Sequence, residues 1–120
     1  MSRSAAAPLL GEAGGLVTLN RIRDSFGLSE AELGRLFGVS RQAVDQWRRR
    51  GIPATRAADV DRVGELAGLL HRRLLPRRLP QVVRTPATGL RGRTLLQVLE
   101  SDGPAPIYAY LSRLYSYAGA

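Results

Sequence analysis

The chain has 120 residues, with 18 basic side chains, all arginine, against 10 acidic ones, a size for one ordinary domain or two very small ones. The net charge of +8 makes a polyanion such as nucleic acid the first partner class to consider. With no cysteine, no lysine and His71 as the single histidine, the composition excludes disulfides, zinc ribbons, thiol nucleophiles, sites built on two imidazoles, a P-loop and a Schiff base. No catalytic residue, metal or cofactor is expected.

Residues 1–15 are rich in Ala, Gly, Ser and Pro without apolar periodicity and read as a disordered leader; Pro8 and Glu12 interrupt any secretory core. No run reaches membrane-spanning length, so no membrane partner and a cytoplasmic location are expected. From Leu16 the apolar positions Leu16, Leu19, Ile22 and Phe26 recur at threes and fours, predicting a helix that ends at Gly27. Ser29 followed by Glu32 is a capping-box pattern opening a second helix with Leu33, Leu36 and Phe37 inside. Ser40 caps a third, with Ala43, Val44 and Trp47 inside and Gly51 and Pro53 after it. A fourth runs from about Thr55 to Leu75, placing Ala58, Val60, Val63, Leu66, Ala67, Leu70 and Leu74 at helical intervals before Pro76. Beyond it, prolines and glycines leave room for a turn or two at Leu79–Arg84 and a short helix at Thr94–Glu100. A last helix is expected over about Ala105–Ala118 with Ile107, Leu111, Leu114 and Ala118 on one stripe. The expected fold is all-α: a helix-turn-helix bundle of about four helices over 16–76, then a small helical interaction domain over 77–120.

Residues 30–49, EAELGRLFGVSRQAVDQWRR, carry the helix-turn-helix pattern: Leu33, Phe37, Val39, Val44 and Trp47 face the core, Gly38 takes the turn, and Gly34 allows close approach beside Val44. Helix-turn-helix families usually carry alanine at the Gly34 position; glycine costs about 1 kcal/mol of helix propensity there. With 43, 44 and 47 inside, Gln42, Asp45, Gln46 and Arg49 turn outward, flanked by Arg41 and Arg48. Arginine forks to guanine, glutamine to adenine, and aspartate accepts from cytosine or orients an arginine; Ser40 and the first amides of the helix suit a phosphate. An arginine run at a helix C-terminus also has a plain reading as a solvated end that complements the macrodipole.

The segment GVSRQAVDQWRRRGIPATRA is similar to repressor domains of the Cro and Xre type. The segment RTPATGLRGRTLLQVLESDGPAPIYAYLSRLYSYAG resembles the toxin-binding domain of Xre/MbcA/ParS antitoxins, in the order Thr85–Pro86, Leu90, Gly92–Arg93, Leu96, Leu99, Asp102–Gly103, then Leu111, Arg113, Leu114 and Gly119. Leu95 stands where that family commonly has proline, and Ala87 where it has asparagine. The resemblance implies a type II antitoxin that blocks a RES-domain, NAD-consuming toxin through its C-terminal part and represses its own operon on double-stranded operator DNA. The expected assembly is a homodimer on two half-sites or a toxin–antitoxin hetero-oligomer.

The toxin-facing candidates are Arg93, Tyr108, Arg113, Tyr115, Tyr117 and Gly119. Tyr108 and Tyr115 lie off the apolar stripe and suit a partner surface, Tyr110 lies near it and suits the core, and Tyr117 fits either. Arg93 reads equally as a toxin contact or as a hydrogen bond to a neighbouring loop carbonyl, and Arg113 as a toxin contact or solvated surface. Glu100 and Asp102 read as capping and turn residues. The alternative function is a stand-alone Cro/Xre-type repressor whose C-terminal half dimerises; a third keeps only the toxin contact, with Asp45 in the reading face as its support.

Overall fold

Ser29, Ser40 and Thr94 each open a helix with a side-chain cap, and Gly27, Gly38, Gly51 and Gly103 follow helix ends at positive φ. The computed structural model describes the backbone of residues 2–119 and the side chains of residues 14–114. The chain is all-helical: α1 (Ser2–Phe26), α2 (Glu30–Leu36), α3 (Arg41–Arg50), α4 (Ala54–Arg73), α5 (Leu79–Val82), α6 (Leu95–Asp102) and α7 (Ala105–Gly119), with 3-10 turns at Pro76–Arg78 and Thr88–Leu90. An antiparallel bridge between Ala87 and Arg93 is the only β pairing among the described residues. No described helix is long and apolar enough to cross a membrane.

Local chemistry accounts for the boundaries. The Leu28 N–H reaches back to the Arg23 carbonyl at 2.9 Å and closes α1. Ser29 Oγ accepts the Glu32 N–H at 3.1 Å while the Glu32 carboxylate accepts the Ser29 N–H at 2.9 Å, the reciprocal box expected at the start of α2. Ser40 Oγ accepts the Ala43 N–H at 3.1 Å and starts α3. Thr94 and Gln97 form a second box, at 3.1 and 2.8 Å, that starts α6. The expected start of the first helix at Leu16 is corrected: α1 is helical from Ser2, through the segment read as a leader, where Ala5, Ala6, Ala7, Leu9 and Leu10 are good helix formers.

The core lies between α1 and α4, with α2 packed on α3 and against α1, and Leu19, Ile22, Phe26, Val60, Leu66 and Leu70 are essentially inaccessible. It does not stop at Pro76. Leu79 and Val83 are fully buried in the same cluster, as are Val98 of α6 and Ile107 of α7. Arg84 crosses the same line, donating to Glu32 at 3.0 Å and to the Gly27 carbonyl at 2.6 Å. Two expected core positions are corrected: Ala58 is exposed, and Leu114 is 46% exposed although it shares the Ile107–Leu111 stripe.

At Gly34 the close approach is to the turn rather than to Val44. A Cβ built there meets the Val39 carbonyl oxygen at 2.7 Å and the Ser40 carbonyl oxygen at 3.1 Å, so alanine does not fit without backbone movement. Glycine at this position is a packing requirement, and its propensity cost is offset by the tight turn it permits. Gly38, at φ 67°, supplies the positive φ of that turn.

Candidate nucleic-acid interface

α3 is anchored by one face. Val44 is fully buried and Trp47 nearly so, its ring 6.0 Å from that of Phe37 and tilted by 57°. The helical period then turns Arg41, Gln42, Asp45, Gln46, Arg49 and Arg50 to the exposed side. Ser40 is exposed at the helix start, its oxygen accepting from Ala43 and its hydroxyl proton still available to a phosphate. Arg41, Gln42, Asp45 and Glu30 line an open cleft of about 450 Å³ between the starts of α2 and α3. The sequence-predicted DNA face is thus brought together on one surface, with a single exception.

That exception is Arg48. Its Nε donates to Glu30 Oε1 at 2.5 Å, Nη2 donates to Glu30 Oε2 at 3.1 Å, and Nη1 donates to the Asn20 side-chain oxygen at 2.5 Å. Its side chain is 24% exposed, against 66% for Arg49. Placed in the sequence reading on the flank of the DNA face, Arg48 instead points back across α3 to α1 and α2. Arg49 pairs with Asp45, one turn earlier and also largely exposed, at 3.2 Å; such a surface pair is worth little and is easily exchanged for another anion.

Glu30 is held below the usual glutamate range, first by the hydrogen bond from Arg48 and further by the charges of Arg48, Arg23 and Arg41, against the opposing effect of burial. Glu32 is held low as well, first by the Ser29 backbone N–H and then by Arg84. The first turn of α2 therefore carries two carboxylates, each engaged by an arginine from another element. Arg56 adds a third tie, donating from α4 to the Phe37 carbonyl at 2.9 Å behind the α2–α3 turn. None of these ties is visible in sequence spacing, since the partners lie 18, 52 and 19 residues apart.

The candidate toxin-facing residues are less unified. Arg93 donates to Asp102 at 3.0 Å and to Ser101 at 3.3 Å, and to the Leu90 carbonyl at 3.5 Å, so its guanidinium pins the Leu90–Arg93 turn to the end of α6. The Arg93 hydrogen bond is also what chiefly lowers the pKa of Asp102. Tyr108, expected on a partner surface, is half-buried against the core, where burial first and Glu65 second raise its pKa. With Leu36, Phe37, Val63 and Leu99 it lines an open groove of about 600 Å³. Tyr110 is half-buried as well, its ring packed on Gly89 with no room for a Cβ between them. Arg113 is exposed on α7. Tyr115, Tyr117 and Gly119 belong to the backbone of α7; the side chains of Tyr115 and Tyr117 and the surroundings of Gly119 lie outside the described residues.

Comparison with protein-family models, curated proteins and solved structures gives no match to this chain.

Proposed function

We propose that this chain is a DNA-binding antitoxin: α2 and α3 act as a helix-turn-helix on operator DNA, and the C-terminal part binds and blocks a RES-domain toxin. The observation that carries the DNA half is the outward face of α3, where Arg41, Gln42, Gln46 and Arg49 stand exposed while Val44 and Trp47 anchor the opposite face. Arginine and glutamine are the side chains that fork to guanine and adenine in a major groove, and a ten-residue helix presents them along one side. Support for the toxin half is the sequence resemblance of residues 85–119, together with an exposed Arg113 on α7. Arg93, 39% exposed and paired with Asp102, stays in this reading as a candidate contact that also braces its turn.

The second reading, a stand-alone repressor, is favoured by the partial burial of Tyr108, which turns one of the expected aromatic anchors of a partner surface toward the core.

One experiment separates them. The chain is co-expressed with the product of the adjacent gene and tested for co-purification, for protection from growth arrest, and for binding to its own upstream DNA at low and moderate salt. Because Ile107 and Leu111 are buried, the test variant is a stop after Leu114 rather than removal of α7. Loss of the complex and of protection, with DNA binding kept, upholds the antitoxin reading. DNA binding without any toxic partner leaves the repressor, and a salt-independent affinity removes DNA altogether, since counterion release by several arginines demands a steep fall.

A further inference from the structure

Val44 and Trp47 anchor one face of α3 on the core. A third point of attachment is supplied by the side chain beyond Trp47. Arg48 spends three of its five N–H donors on Glu30, at the first residue of α2, and on Asn20, in the C-terminal third of α1. The Glu30 contact is two-pronged, Nε to one oxygen and Nη2 to the other, which fixes the guanidinium plane as well as its position. Both partners sit on helices that are themselves packed into the core through Leu19, Ile22 and Leu33. Arg49 and Arg50, next in the run, are exposed and have no such anchorage.

We propose that Arg48 is a positioning residue: its pairing with Glu30 and Asn20 sets the angle at which α3 is presented to DNA, and Arg48 itself makes no phosphate contact. This rests on α3 being the DNA-reading helix, as proposed above. Within the sequence Arg48 is one of three consecutive arginines, on the flank of the outward face; in the fold its charge is already matched by a carboxylate on the protein. A guanidinium neutralised in this way displaces few counterions when DNA arrives, whereas Arg49, two-thirds exposed, exchanges Asp45 for a phosphate. Glu30 supplies the sharpest distinction. A carboxylate lining the cleft beside Arg41 and Gln42 repels the DNA backbone, so direct electrostatics says that its removal strengthens binding. Positioning says that its removal weakens binding, because Arg48 loses the group that holds it.

The test measures affinity for duplexes that the wild-type chain selects from a randomised library, by fluorescence anisotropy from about 50 to about 200 mM salt, the range over which phosphate contacts are read. Arg48→Gln and Glu30→Gln are each expected to weaken binding about tenfold, equivalent to about 1.4 kcal/mol, with the slope of log affinity against log salt unchanged. The double variant is expected to bind no worse than the weaker single one, as for two ends of one strut. Arg48→Lys keeps the charge and most of the stem and is the variant least able to unfold the chain; it is expected to behave like Arg48→Gln. Arg49→Gln, by contrast, reduces the slope by about 0.9, the signature of a lost phosphate contact. A slope that falls by the same amount in Arg48→Gln, wild-type affinity in Arg48→Lys, or tighter binding by Glu30→Gln each overturns the proposal. If the wild-type chain selects no duplex at all, the DNA reading itself fails and this proposal falls with it.

Discussion

Two helix pairs in this chain are opened by a reciprocal capping box and turn on a glycine with positive φ, and their second helices then present different chemistry. The α2–α3 pair uses Ser29 with Glu32 and turns at Gly38; the α6–α7 pair uses Thr94 with Gln97 and turns at Gly103. On α3 the exposed side carries Arg41, Gln42, Asp45, Gln46, Arg49 and Arg50, and on the described part of α7 it carries Ala105, Ala109, Ser112, Arg113 and Leu114. The pairs differ also in what braces them. Glu30 and Glu32 of α2 each hold a distant arginine, while α6 carries neutral Leu95 and Gln97 at the matching positions. Equivalent local signals thus build equivalent helix starts, while the ion pairs differ in place: α2 is held at its first turn by Arg48 and Arg84, and α6 at its last turn by Arg93 on Asp102 and Arg35 on Glu100.

The largest effect expected from breaking this comparison is at the anchor of α3. Trp47→Ala should lower the free energy of unfolding by about 3–5 kcal/mol, as for other buried aromatic truncations, read by urea denaturation. A loss below about 1 kcal/mol would mean that α3 is not held by the core. Next comes Gly34, five residues after its cap, where α6 carries the buried Leu99. Gly34→Ala gains about 1 kcal/mol of helix propensity but forces a Cβ against the Val39 carbonyl, and overpacking of this kind costs about 1–3 kcal/mol. Net destabilisation is expected, and a stabilised variant would show that the turn relaxes.

Smaller effects sharpen the comparison at the caps. Ser29→Ala and Thr94→Ala should each cost about 0.5–2 kcal/mol. Glu32→Ala should then cost more than Gln97→Ala, because only Glu32 also holds Arg84; equal costs would make the Arg84 tie a surface pair without consequence. The last prediction concerns pH. Glu30 and Glu32 have folded values below their unfolded ones, so their stabilisation is complete above the unfolded value and is lost as pH falls through the lower folded value. Acidification below the ordinary glutamate range should therefore disturb the first-turn amide resonances of α2 before those of α6, whose box closes on the non-titrating Gln97. Simultaneous change would argue against it.

Features that need only neighbours along the chain were legible in the sequence. A capping serine and its partner three residues on, a glycine after the last apolar position and a 3.6-residue stripe all act within one or two turns, and helices α2 to α7 begin and end within a residue or two of where those signals stand. The same period placed Arg41, Gln42, Asp45, Gln46 and Arg49 on one exposed face of α3. Tertiary structure decided where the long side chains go. An arginine reaches several ångströms in any direction, so whether Arg48 faces solvent or Glu30, Arg84 faces solvent or Glu32, and Arg93 faces a partner or Asp102 depends on which element the fold brings within that reach. The same holds for Tyr108 and Tyr110, whose period around α7 is readable but whose burial depends on the turns that come to lie beneath them.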